Sequence, residues 1–343
     1  MANANDIMMP EIVNINGRCY RVLEENFKFD GELVKADGIQ PDFFDDDNQD
    51  EDESIEETPN GYKLSLRVPE KCFGMIIGKK GSNMKQLQQD TGTKIKLPSS
   101  RNSDASNDLT CITGSSKKGV ISAKVRIELL VDSCRSKALP THFVMVPLLS
   151  KQVISSYIQF KDMVLQDFSQ CKGIEESIMQ EPQRLHITIV VLRLFDKIEE
   201  DKAKRIFDDC SDVVSKRLKS IKQAKVDIKG LEIMGDDPSA AKVLYAEIHD
   251  TILQELGEDI VDRFVASGLT GKEGPRLKLH ATLMNSRYRT STPGGTEPFD
   301  ARNILQDMNH FNFGSTNLSN IQLCKMQKNN DGQYIVVSSL PLS

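Results

Sequence analysis

The chain has 343 residues, of which 38% are apolar and 27% charged, and its formal net charge is −6. That length supports two domains with their own cores, no apolar run approaches the roughly 20 residues that span a bilayer, and no secretory signal is expected ahead of the first domain. Seven scattered cysteines with no CxxC pair argue for a reducing compartment, cytosol or nucleus, and against a zinc site.

In chain order, Glu11-Ile12-Val13-Asn14-Ile15 and Arg18-Cys19-Tyr20-Arg21-Val22 alternate on either side of Asn16-Gly17. This pattern predicts a small hairpin with a type I′ turn. Such a hairpin is marginal alone and needs a surface to pack on. Between Asp42 and Glu57, ten of sixteen residues are acidic and none is basic, which predicts a flexible linker. From Gly61 to Pro140 the balance reverses to fifteen Lys or Arg against six Asp or Glu, so phosphate contacts are expected there.

Residues 63–68 read as a strand, 69–77 as a short helix ending at Gly78, and 82–90 as a second helix capped by Ser82. A strand over 93–97, a polar Ser/Asn loop, a strand over 109–113 and a helix over 116–130 complete a βααββα order. The stretch Gly74-Met75-Ile76-Ile77-Gly78-Lys79-Lys80-Gly81 joins the two short helices. Gly78 and Gly81 remove side chains where a sugar-phosphate backbone must come close. Lys79 and Lys80 add positive charge, and the N–H groups opening the next helix face the same phosphates. Ile77, Ile95 and Leu97 are expected to floor an apolar groove beside them. The run Ile76–Ser82, in this element order, resembles the type I KH domain over about residues 60–135. That resemblance implies a GxxG clamp on about four nucleotides of single-stranded RNA or DNA.

Residues 135–140 read as a short connection, in which Arg135 and Lys137 are candidates for bridging the domains by charge. A second α+β domain follows, with helices expected at about 150–171, 199–221, 249–267 and 299–309. Its strands are expected at 143–148, 184–192, 225–233, 242–248, 277–284, 320–327 and 333–340. The organisation is thus a hairpin and acidic linker over 1–58, a nucleic-acid-binding domain over 59–137, and a bilobal, pseudo-symmetric domain over 138–343.

Two strands of that larger domain carry matched motifs, Leu185-His186-Ile187-Thr188-Ile189 and Leu279-His280-Ala281-Thr282-Leu283. In a strand, residues two apart share a face, so each His and Thr point together while their neighbours enter the core. In a chain with five histidines, this suggests two imidazoles facing one cleft. Two histidines suit acid–base cleavage of a phosphodiester at neutral pH, since one can be neutral while the other is protonated. Thr188 and Thr282 would hold the non-bridging oxygens. No metal or other cofactor is called for, and either histidine can be the acid. His142, His249 and His310 lack a Thr partner and read as structural or exposed. Arg287, Tyr288, Arg289 and Tyr245 are secondary candidates for phosphate or base contact.

The paired motifs resemble the 2H phosphoesterase superfamily, and the run His280–Asn285 resembles its A-kinase anchor protein branch. This implies a metal-independent phosphodiesterase acting on 2′,3′-cyclic phosphates or oligonucleotide linkages. The joint order of acidic tail, KH and 2H domains resembles subunits of nuclear transcription-cointegrator complexes. That likeness implies a helicase and other subunits as partners through residues 1–57, nuclear localisation and a part in nucleic-acid repair. The alternative is a non-catalytic adaptor that binds RNA or nucleotide and regulates the helicase.

Overall fold

The computed structural model describes residues 11–15, 18–22, 55–98, 109–218, 225–270, 277–291 and 296–342. They fall into two units, Met1–Val131 and Asp132–Ser343. Among the described residues no helix is long and apolar enough to cross a membrane.

In the first unit, β1 (Glu11–Ile15) pairs antiparallel with β2 (Arg18–Val22), Glu11 standing opposite Val22. The expected Asn16-Gly17 turn and the acidic run up to residue 54 lie outside the described residues. The end of that run is a strand rather than linker. β3 (Ile55–Thr58) pairs with β4 (Gly61–Leu66), with Ile55 against Leu64, the Thr58 hydroxyl donating to the Gly61 carbonyl, and Lys63 paired with Glu56 at 3.1 Å. One apolar residue and a cross-strand ion pair suffice once a neighbouring strand offers its free edge.

There follow α1 (Phe73–Ile77), α2 (Ser82–Thr91), β5 (Thr93–Lys96), β6 (Thr110–Gly114) and α3 (Lys117–Lys137). The sheet runs β3-β4-β6-β5, and Leu64, Ile76, Ile112, Val120 and Ile127 form its buried core. The α3 helix continues through residues expected to be a connection. Arg135, on its last turns, is buried in the second unit and donates to both Glu199 carboxylate oxygens, at 2.7 and 3.1 Å, and to the Arg193 carbonyl. Its guanidinium also lies 4.7 Å from the Phe195 ring centre. Both terminal nitrogens of the guanidinium are therefore engaged there, which makes it a buried ion pair.

The second unit contains β7 (His142–Pro147), α4 (Lys151–Asp167), β8 (His186–Leu192), α5 (Lys197–Asp209), α6 (Ser211–Leu218), β9 (Lys225–Ile233) and β10 (Val243–Ile248). It continues with α7 (Thr251–Ala266), β11 (His280–Asn285), α8 (Arg302–Met308), β12 (Asn312–Asn317), β13 (Asn320–Lys328) and β14 (Tyr334–Pro341). Ser150, Asp196 and Asp250 cap α4, α5 and α7 by accepting backbone N–H bonds in the first turn. The helix expected over 199–221 breaks at Cys210, whose N–H closes a tight turn on Phe207, while Asp212 accepts the Val213 N–H and starts a new helix.

These strands form one antiparallel sheet in the order β12-β9-β10-β11-β8-β7-β13-β14. On β8 and β11, Ile187, Ile189, Ala281 and Leu283 are buried in the large core while the alternate residues are only half-buried. One face of the central strands is thus sealed, with α7 packed on β8, and the other carries the motif side chains.

Candidate functional site

β8 and β11 are neighbours at the middle of the sheet, and Ala281 pairs with Ile187. In an antiparallel ladder that register sets Thr282 level with His186, and His280 level with Thr188. Each histidine therefore faces the threonine of the other motif. The two histidines stand on a diagonal, about 7–8 Å apart at the backbone. A phosphate group fits between two rings so placed. Among the described residues, neither threonine hydroxyl has a hydrogen-bond partner, so both remain available to a ligand.

Both rings are held in the same way. His186 Nδ1 donates to the Arg184 carbonyl at 2.6 Å, and His280 Nδ1 to the Lys278 carbonyl at 2.7 Å. A carbonyl only accepts, so each neutral ring carries its proton on Nδ1 and offers the Nε2 lone pair to the cleft. Burial pushes His186 down to about 4, opposed by its bond to Arg184 and reinforced by the charges of His280 and Arg184. His280 is also lowered, by burial first and by the Lys278 ammonium, while its own carbonyl bond acts the other way.

The flanks differ. Beside His186, Phe143 and Tyr334 pack on the ring at 5.2 and 5.6 Å between centres, and on each other at 4.8 Å. Burial pushes the Tyr334 hydroxyl up to about 12. Beside His280, the Tyr245 ring stands edge-on at 5.2 Å, opposite Thr282 in the ladder, and Glu247 stands opposite His280. The Tyr245 hydroxyl and the Lys278 ammonium both donate to Glu232, at 2.5 and 2.6 Å. Those bonds, Lys278 first, hold the Glu232 carboxyl below its usual range. Burial, then the Glu232 bond, pushes Tyr245 up to about 12.

Of the secondary candidates, Tyr245 and Tyr288 border the site, and the Tyr288 hydroxyl accepts from Gln180 Nε2 at 3.2 Å. Arg287 is exposed. Arg289 is a correction: its side chain is 5% exposed, paired with Glu175 at 3.0 Å and donating to the Gly173 carbonyl at 2.8 Å, which makes it a loop tie rather than a phosphate contact. His142 is buried with Nδ1 3.0 Å from the Thr141 hydroxyl, and His249 and His310 are exposed. Arg184, Lys278, Phe143, Tyr334, Glu232 and Glu247 were not anticipated. For Arg184 and Lys278 a signal existed, because the repeat extends two residues upstream to basic-Leu-His-x-Thr.

In the first unit, Gly78 turns the chain with φ +69°, Lys80 is left-handed at φ +54°, and Gly81 occupies the cap of α2 at φ +79°. Ser82 is therefore the first helical residue, not the cap, and no side chain covers the opening N–H groups. The loop is held from behind by Asn83, whose Nδ2 donates to the Met75 carbonyl at 3.0 Å. Lys79 and Lys80 are exposed, as is Ile77 at 39%, but Ile95 is buried against Ile112 in the domain core. Ile95 thus lies beneath the surface it was expected to line, because it falls on the inward-facing alternate positions of β5.

The family model of the AKAP7 2′5′ RNA ligase-like domain matches residues 140–342, and that of the KH domain residues 63–129. The chain is similar to activating signal cointegrator 1 complex subunit 1 of Mus musculus, 31% identical over 346 residues, which are 93% of this chain and 94% of that protein. Among solved structures it is similar to TT0787 of Thermus thermophilus, 17% identical with a TM-score of 0.39, over 59% of this chain and 97% of that one. It is also similar to E. coli LigT complexed with phosphate, 13% identical with a TM-score of 0.35, over 60% of this chain and 98% of that one.

Proposed function

This chain belongs to the AKAP7 2′5′ RNA ligase-like domain family and carries a KH domain ahead of it, and from that premise we propose that it grips a single strand of nucleic acid and takes a phosphodiester between His186 and His280. The observation that carries the reading is the matched tautomer lock: two Nδ1 bonds to carbonyls aim two Nε2 atoms at one cleft, each ring facing a free threonine hydroxyl. One ring would take the proton from the attacking oxygen and the other would give one to the leaving oxygen, while Thr188 and Thr282 hold the non-bridging oxygens. No step calls for a metal. Similarity to a cointegrator complex subunit supports a place in such a nuclear complex, with its helicase and other subunits as partners through residues 1–57. The KH loop would raise the local concentration of the strand at the cleft.

A second reading, binding without turnover, is favoured by one observation. Burial lowers both histidines, which disfavours in the protein by itself the protonated ring that would serve as the acid. Turnover of 2′,3′-cyclic nucleotides and of 2′,5′- and 3′,5′-linked oligomers, compared with His186→Ala and His280→Ala, separates the two. Catalysis predicts a loss of about a hundredfold or more in each variant. Wild-type rates equal to those of both variants leave the adaptor reading.

A further inference from the structure

A patch of positive charge adjoins the His186 ring. Arg184 ends the short turn Pro182–Arg184, and its carbonyl is the one that holds His186. Its side chain is only 14% exposed, yet among the described residues its one ion pair is with Glu181 at 3.7 Å, too long for a hydrogen bond, and its Nε has no hydrogen-bond partner. Lys328, the exposed end of β13, stands opposite Tyr334 in the ladder, and Tyr334 is the ring packed edge-on against His186. Among the described residues no ion pair occupies the Lys328 ammonium. The two cations feel each other: burial, then the Arg184 charge, holds Lys328 below the usual lysine range, with the Glu181 carboxylate acting the other way. The Arg184 charge also reaches the hydroxyls of Tyr288 and Tyr334.

Two like charges that share a single, loosely held carboxylate, Glu181, still repel, and a further anion between them relieves both. The other flank offers no such site, because Lys278 is already paired with Glu232 at 2.6 Å. The spare positive charge and the Phe143–Tyr334 ring pair therefore lie on one side of the cleft only.

We propose that Arg184 and Lys328 form a second phosphate subsite beside His186, which takes the phosphate one nucleotide along from the group held between the two histidines. The cleft would then select two phosphates flanking one nucleoside, as a nucleic-acid strand presents them, over a nucleotide with a single phosphate. This rests on the reading of the cleft as a phosphate site. Guanidinium suits the role because its planar fork can donate twice to a phosphate, with lysine adding a point charge.

The test is calorimetric titration of the full chain, in a Lys79→Asp, Lys80→Asp background that silences the KH loop. The probes are adenosine 3′,5′-bisphosphate and the 3′- and 5′-monophosphates. The bisphosphate is expected to bind about tenfold more tightly than either monophosphate, the value of one charge-assisted contact at a partly exposed site. Lys328→Ala and Arg184→Gln are each expected to remove most of that advantage, and Lys328→Ala to leave monophosphate affinity within about twofold. Equal affinities in the wild type, or an advantage that survives both variants, would overturn the second subsite alone. Failure of every nucleotide to bind would overturn the cleft reading and the subsite with it. If Arg184→Gln unfolds the unit, Lys328→Ala decides, since its exposed side chain makes no ion pair with a described residue.

Discussion

His186 is pushed from its ordinary 6.5 to about 4, so protonating it in the protein by itself costs about 3 kcal/mol more than in water, at 1.36 kcal/mol per pH unit. A phosphate anion some 4 Å from the ring returns a similar amount, about 4 kcal/mol at an effective dielectric near 20. Occupation of the cleft should therefore lift His186 back to about 7. Phosphate ligands should then bind more tightly as the pH falls, by about tenfold for each unit below 7 until the free ring itself titrates. The assay is a histidine Cε1–H titration with and without adenosine 3′-monophosphate, the His186 line being assigned by its loss in His186→Gln. Calorimetry in buffers of different ionisation enthalpy adds the count, close to one proton taken up at about pH 5.5. A His186 that titrates near 6.5 without ligand, or a ligand that binds without moving it, refutes the argument from burial.

Three further outcomes follow from the same geometry. Because the folded value of His186 lies below the unfolded one, its contribution to stability is complete above pH 6.5 and is lost as the pH falls towards 4, with a ceiling of about 3 kcal/mol. Urea unfolding at pH 7 and 4.5 should show a shallower loss for His186→Gln, and identical slopes would count against it. Arg135→Met leaves Glu199 buried beside the Phe195 N–H alone, and should cost about 3–5 kcal/mol in denaturant unfolding, with Glu199→Leu added to it recovering most of the loss. In the KH loop, a Cβ on Gly78 would sit 2.4 Å from Asn83 Cγ, whereas one on Gly81 meets nothing within 4 Å. Gly78→Ala should therefore abolish binding of a labelled single strand in an anisotropy titration, while Gly81→Ala keeps it at about 1 kcal/mol of backbone strain. Equal behaviour of the two glycine variants would contradict that distinction.

Short-range pattern made the strands of the two His-x-Thr motifs readable, because alternation of Ile187, Ile189, Ala281 and Leu283 with the motif residues is a period of two. That β8 and β11 lie side by side was a guess from repetition, since strand order is fixed by pairings far apart in sequence. β12 escaped notice because Asn312-Phe313-Gly314-Ser315-Thr316-Asn317 has one large apolar residue and a glycine at φ +92°. The partners of Arg135 and Arg289 were out of reach of the sequence for a common reason. An arginine's partner is settled only when the fold brings a carboxylate to it, and Glu199 and Glu175 are 64 and 114 residues away respectively. The flank of His280 was legible only in part, through Tyr245 and the basic residue two before the motif, because Glu232, Tyr245 and Lys278 come from two strands and a loop and meet only through the register of β9, β10 and β11.

The motif gives the cleft an approximate two-fold arrangement, and under the proposed function a two-fold site would not by itself tell the incoming oxygen of a phosphodiester from the departing one. A strand has direction, so something outside the motif must supply the difference. The residues two before each histidine are both basic, but their surroundings part them: Lys278 is neutralised by Glu232, which also holds Tyr245, while Arg184 has only a 3.7 Å contact with Glu181. Aromatic packing is uneven in the same sense, with Phe143 and Tyr334 on one ring and Tyr245 alone on the other. Charge and apolar surface thus both favour laying the phosphate-rich side of a strand against His186 and a sugar hydroxyl towards His280, where Glu247 stands level in the ladder to accept a hydrogen bond. Exchanging the charges across the cleft, by Arg184→Glu with Glu232→Lys, should then weaken binding of a strand end more than either histidine substitution does, because it opposes the direction in which the strand lies and not merely one contact.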